Sequence, residues 1–398
     1  MTKTVRAAAL AALAMSLPAL ATAGELEAGW SNGIRFKSED GSVALKVGGR
    51  VQTDVVFQSA DDQLEADLGD PFLDGNEFRR IRFYFAGVMN DAMEFKAQLD
   101  FAGGRAKVKD VWVGLRNLPG VGQVLIGHMY EPQGLDALTS DKYNTFVEKS
   151  LPTFLVAERR AGVRATNEFG KVWASAMVSR NSDDFGHAQS DESYNVIGRL
   201  AVAPVNEDGG RRLLHLGVSA SRRNKPGEVE YSADAENHLA PDFVSTGALP
   251  ADAANVIGVE GAFGYEQFGL QAEWIQSRIE SAGASDATVA GFSVQASVFL
   301  TGEHRPYDTD EAAFGRVKPR ENYDGKGAKG AWELAARFSS LDLDDSGASL
   351  AGGKLDDITV GLNWYLSPTF RWTANWVHAD LDGSGQGNAV LFRFASDF

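Results

Sequence analysis

The sequence predicts an all-β protein: a 16-stranded antiparallel transmembrane β-barrel with inward-folded loops, preceded by a signal peptide. Three observations predict it. Segments of about ten residues alternate apolar and polar side chains, the period of a strand with two unlike faces. After the N-terminus no stretch reaches the roughly 18 apolar residues that a membrane-crossing helix needs. The N-terminus itself has the three parts of an export leader.

That leader comes first. Lys3 and Arg6 form a basic start, and residues 7–20 form an apolar core broken only by Ser16 and Pro18. Ala21-Thr22-Ala23 fits a small-x-small cleavage pattern, so a mature chain starting near Gly24 is expected. The expected division is a signal peptide over 1–23 and one barrel domain over 24–398.

Composition removes several function classes. With no cysteine, neither a disulfide framework nor a thiolate metal site is possible, and no cofactor or metal is implied. The formal charge of −16 argues against nucleic acid, whose phosphates need a dominant basic surface. The acids crowd between the apolar runs. Asp61, Asp62, Glu65, Asp67, Asp70 and Asp74 form one group, Glu228, Glu230, Asp234 and Glu236 a second, and Asp342, Asp344 and Asp345 a third. They read as solvated loops, with divalent bridging to anionic surface lipid as a second use.

The strands follow in order. Segment 43–57 sets Leu45, Val47, Gly49, Val51, Thr53, Val55 and Phe57 against Lys46, Arg50, Gln52 and Asp54. After 78–90, segment 93–102 sets Phe95, Ala97, Leu99 and Phe101 against Lys96, Gln98 and Asp100. Then come 106–116, 122–130 and 160–168, the last with Val163 and Ala165 against Gly162, Arg164 and Thr166. Segments 170–180 and 192–203 follow, the latter opposing Val196, Leu200 and Val202 to Asn195 and Arg199. Segments 212–222, 255–265 and 267–278 lead to 287–301, where Phe292, Val294 and Val298 oppose Ser293, Gln295 and Ser297. In 331–342, Trp332, Leu334 and Phe338 oppose Glu333 and Arg337. Segments 354–366 and 369–380 are split by Ser367-Pro368 and carry Trp364, Trp372 and Trp376 on their apolar faces, as in the aromatic girdles of membrane barrels. Segment 387–398 ends with Phe392, Phe394 and Phe398 on one parity, and an aromatic last residue resembles the assembly signal of outer-membrane barrels.

An even strand count suits a bacterial barrel. With the first strand running outward, the periplasmic turns are short and the external ones mostly longer, above all 131–159 and 223–254. One segment breaks the pattern: 302–330, long and on the periplasmic side. Wall side chains cannot fill a barrel this wide, so an aqueous lumen is expected.

Several stretches carry a family resemblance. They are Gly75-Asn76-Glu77-Phe78-Arg79-Arg80-Ile81-Arg82, Asp100-Phe101-Ala102-Gly103-Gly104 with Lys109-Asp110, and Gly127 to Gly134 followed by Phe146 to Pro152. Leu300 to Tyr307, Phe314-Gly315-Arg316-Val317-Lys318-Pro319, Gly330 to Ala335 and Gly361 to Leu366 complete the series. In this order they resemble the phosphate-selective porin O and P family. The resemblance implies a sixteen-stranded homotrimer in the outer-membrane lipid of a Gram-negative bacterium. It also implies an inward-folded third external loop and periplasmic segment, and basic side chains that bind passing anions, phosphate above all.

Parity places Arg50, Arg80, Arg82, Lys96, Arg164, Arg199, Arg337, Arg371 and Arg393 on the lumen face, with Asp54, Glu94, Asp100, Glu260, Glu273 and Glu333. The candidate anion-binding residues are Arg50, Arg80, Arg82, Lys107, Lys109, Arg159, Arg160, Arg164, Arg199, Arg316, Lys318 and Arg337. Arg80, Arg82 and Arg316 stand inside the matched motifs. Lys107 and Lys109 share parity with the lipid-facing Val111 and Val113, so a bulge or a position beyond the bilayer is needed to bring them inward. Catalysis is not expected: His128, His187, His215, His238, His304 and His378 are scattered and none lies in a catalytic pattern. A general or sugar-permeable porin, with Tyr84, Trp112 and Tyr365 toward the lumen, is one alternative; an adhesin or receptor using 223–254 is another.

Overall fold

The computed structural model describes residues 26–190, 192–281 and 283–398, so the expected leader lies outside the described residues. The strands of the wall are β1 (Val43–Ala60), β2 (Gly75–Met89), β3 (Met93–Asp100), β4 (Lys107–Leu118), β5 (Gly122–Tyr130), β6 (Arg159–Phe169), β7 (Val172–Arg180) and β8 (Tyr194–Glu207). They continue as β9 (Arg212–Val229), β10 (Leu249–Tyr265), β11 (Phe268–Ser281), β12 (Ala287–Phe299), β13 (Ala331–Asp345), β14 (Leu350–Ser367), β15 (Phe370–Leu381) and β16 (Gly385–Asp397). Each is antiparallel to the next, and β16 pairs with β1 from Gly387 opposite Ala60 to Asp397 opposite Arg50. The ring therefore closes, as a hydrocarbon-spanning sheet must to leave no unpaired edge.

Phe398 finishes the seam. Its N–H donates to the Gly49 carbonyl at 3.0 Å and its carbonyl accepts from the Gly49 N–H at 2.8 Å. The ring sits so close that a Cβ at Gly49 would come within 2.8 Å of its Cζ. Only glycine leaves that space.

Along the wall the expected alternation holds. Arg50, Gln52 and Asp54 are buried in the lumen, whereas Phe57, Val113, Leu200, Val218 and Phe292 face outward. At the short-turn end the outward faces of β13 to β16 carry a row of Trp332, Trp364, Trp372 and Phe394, with successive rings 5.0, 5.3 and 5.2 Å apart. This is an aromatic girdle. The connections at that end have two to four residues, except the one between Phe299 and Ala331.

Several features differ from the sequence reading. β9 runs to Val229 and β10 starts at Leu249, well beyond the expected 222 and 255. The added residues 223–229 keep pairing with β10, out to Val229 opposite Leu249, but lose the regular alternation of buried and exposed side chains that marks the rest of the strand. A hairpin of Leu26–Trp30 and Ile34–Ser38, too short and polar to be read as wall, pairs with Ala44–Val47 of β1 beside the seam. The first acidic connection contains a short helix, α1 (Asp62–Leu68), whose N-cap Asp61 accepts from the Leu64 N–H.

The apolar core lies inside the barrel. Leu151 and Leu155 of the 131–158 connection meet Tyr231 and Phe243 of the 230–248 connection, against Ile275, Ile279, Leu341 and Leu355 of the wall. So 230–248, read from sequence as an exposed acidic loop, folds inward. A second cluster packs Tyr307 and Phe314 onto Trp173, Leu213 and Leu135. The long periplasmic segment therefore enters the lumen only through its first half.

Candidate functional site in the lumen

The wall of β1 and β2 brings cations face to face. Arg50 stands opposite Arg82, and Gln52 opposite Arg80. Like charges directly across a sheet destabilise it, so this pairing requires an anion. Asp141, from the inward 131–158 segment, supplies it. Its carboxylate lies 2.9 Å from Arg82, 3.1 Å from Arg80, 3.5 Å from Arg50 and 3.8 Å from Lys149. Burial opposes ionisation of Asp141, but those four cations hold its carboxyl well below the usual carboxylate range. Asp100, the cross-strand partner of Arg82, takes its Nε at 2.6 Å.

A second carboxylate is shared next door. Asp110 accepts from Lys96 and from Arg159, both at 2.7 Å, and the Arg159 guanidinium lies 3.8 Å over the Tyr130 ring. A register shift between β3 and β4, where Leu99 meets Val108 but Ala97 meets Val111, turns Asp110 into the lumen. The bulge that the lysines required is thus present. Lys107 nonetheless reaches out to Asp184 at 2.9 Å, and Lys109 is partly buried without a carboxylate partner among the described residues.

Several predicted site residues act as clamps. Arg199 is buried between Glu260 at 2.6 Å and the Ala312 carbonyl at 2.7 Å, while His215 bridges Glu260 and the Tyr307 hydroxyl. These bonds fix the inserted half of the periplasmic segment. Arg337 binds Glu236, which also accepts from Thr359 at 2.7 Å, and so holds the 230–248 segment. Arg316 binds Asp397 beside the seam. Arg393 is shared by Asp54 at 2.6 Å and Glu148 at 2.7 Å, and Glu148 also takes Arg79. Main-chain groups complete the stitching of 131–158: Arg371 donates to the Asn144 carbonyl, Asn363 to the Thr145 carbonyl, and the Leu151 N–H to Ser339. Lys318 is exposed. Arg160, the second residue of β6, has its Nε unpartnered.

One space left open is a cavity of about 290 Å³ between the 131–158 segment and the β1–β6 side of the wall. Arg50, Lys96, Lys142, Arg159 and Arg164 line it, against Asp110, Asp141 and Glu311, together with Tyr84, Trp112 and Tyr130. Arg164 is buried, its Nε has no hydrogen-bond partner, and no carboxylate pairs with it among the described residues. Lys142 also lacks a carboxylate partner among the described residues; burial, then repulsion from Arg50, push its ammonium down to about 7. The lumen acids counted from sequence are engaged elsewhere. Glu273 accepts the Leu135 and Asp136 N–H groups, Glu333 binds Tyr365 and Asn363, and Glu94 accepts from Gln123. Sequence reasoning missed Asp141, Lys142 and Tyr130 as site residues; their only signal was membership of, or closeness to, the third-loop motif.

Comparison with known proteins agrees with this architecture. Residues 45–396 match the family model described as phosphate-selective porin O and P. Porin O of Pseudomonas aeruginosa is 24% identical over 435 residues, covering 96% of each chain. Among solved structures, an anion-selective porin from Comamonas acidovorans superposes with a TM-score of 0.57 at 12% identity, covering 89% of this chain and 100% of its own. The trimer form of the Vibrio cholerae outer membrane protein OmpT gives 0.55 at 13%, covering 89% and 99%. The fold and family imply a Gram-negative outer membrane, and they are those of channels rather than enzymes. The chain belongs to the phosphate-selective porin O and P family.

Proposed function

We propose that the protein is a trimeric, water-filled pore for passive diffusion of small anions, with phosphate the preferred one. The observation that carries this is the cavity's charge: five cations against three carboxylates, with Asp110 and Asp141 already shared between cations and Arg164 and Lys142 without one. A passing anion therefore meets donors that are not neutralised. Arginine suits phosphate because its planar fork offers parallel N–H bonds to two oxygens, and rings of fixed charge set pore selectivity. The large net negative charge does not oppose this, since much of it sits in the loop-end connections. The trimer rests on the likeness to OmpT, and the anion preference draws support from the family's description as phosphate-selective and from the name of the anion-selective Comamonas porin.

Chloride current through single channels in a planar bilayer tests the phosphate claim. Millimolar phosphate should block it in a concentration-dependent way. Chloride current indifferent to phosphate would leave an anion pore without phosphate preference. Tyr84, Trp112 and Tyr130 at the same cavity favour a second reading, a pore that also passes sugars. Swelling of protein-loaded liposomes in neutral sugars separates the two.

A further inference from the structure

Beyond Val317 the long periplasmic segment leaves the lumen. At Val317 the chain is still packed inside, against Phe299 and Tyr365. It then crosses the rim and returns on the outside. Tyr323 lies edge-on to the outward-facing Trp364 at 5.1 Å, its N–H bonded to the Leu366 carbonyl. The Trp364 indole donates to the Lys329 carbonyl at 2.8 Å. The re-entry into β13 passes through Gly330 at φ +69°, where a Cβ would lie 2.3 Å from the Tyr365 carbonyl oxygen. Residues 323–329 are thus pinned to the outer surface at the aromatic girdle.

This strap is basic. Lys318, Arg320, Lys326 and Lys329 are exposed along it, against Glu321 and Asp324. Asp324 is turned to its own backbone, accepting the N–H groups of Lys326, Gly327 and Ala328. Lys326 and Lys329 make no side-chain hydrogen bond or ion pair among the described residues. Two free ammonium groups next to a tryptophan row, at the level where hydrocarbon gives way to water, match one chemistry: a phosphodiester headgroup whose acyl chains lie against Trp332, Trp364 and Trp372.

We propose that the 318–329 strap is a binding site for an anionic phospholipid headgroup in the periplasmic leaflet. The barrel in micelles, titrated with phosphatidylglycerol or phosphatidylcholine and read by native mass spectrometry, tests it. The wild type should retain phosphatidylglycerol preferentially. Each lysine removed should weaken that binding about fivefold, so Lys326→Gln with Lys329→Gln together weaken it about 25-fold and leave phosphatidylcholine unchanged. Both side chains are exposed and make no hydrogen bond or ion pair among the described residues, so the variant barrel should fold and conduct as before. Equal retention of the two lipids by the wild type, or undiminished phosphatidylglycerol binding in the double variant, would overturn the proposal.

Discussion

Asp141→Asn is the most informative single change, because one carboxylate holds four cations and ties the inward segment to the wall. The side chain is 4% exposed and contacts Arg50, Arg80, Arg82 and Lys149. Removing one partner from a buried charge network costs about 3–5 kcal/mol. The lower end applies here, since Arg82 keeps Asp100 at 2.6 Å and Arg80 keeps Gln52 at 3.1 Å. The segment should stay in the lumen through its main-chain bonds to Ser339, Asn363 and Asn375. A folded channel is therefore expected, with a lower urea midpoint in micelles, noisier open-channel current and stronger anion preference. An unchanged urea midpoint together with an unchanged reversal potential would refute the assignment of Asp141 as the shared anchor.

Other outcomes follow from the same geometry. Lys142 is charged below about 7 and neutral above it, so anion preference should fall as pH rises from about 6 to 8; a flat profile in the wild type would contradict the placement, and Lys142→Gln should abolish the dependence. Arg164→Gln removes a cavity cation without breaking an ion pair, so it should weaken phosphate block while leaving the urea midpoint unchanged. Phe398→Ala, or Gly49→Val opposite it, should reduce the yield of folded, heat-modifiable barrel on gels; full yield would show that the seam does not depend on this contact.

How much of this was legible in the sequence depends on which solvent each residue meets. Strands in hydrocarbon must be apolar outward, so Leu45 to Phe57 or Trp332 to Phe338 announce both their face and their period. Past the bilayer that demand lapses, and the outer ends of β9 and β10 have the sequence pattern of a loop. The lumen site was legible only as faces. Parity put Arg50, Arg80 and Arg82 inward, but that Asp141 would sit among them is set by how a connection folds across the barrel, with no local spacing to reveal it. The same holds for Arg199 and Arg337, which the sequence marks as candidate anion ligands. Their charges are engaged by Glu260 and Glu236, the second on a connection whose inward course its acidic composition concealed.

The central claim is an anion-preferring aqueous pore. The most direct test is the zero-current potential of the wild-type channel in a planar bilayer across a tenfold KCl gradient at about pH 6, where Lys142 is charged. The account predicts a potential of the sign set by chloride, diminished in Arg164→Gln. A potential of the sign set by potassium would contradict it.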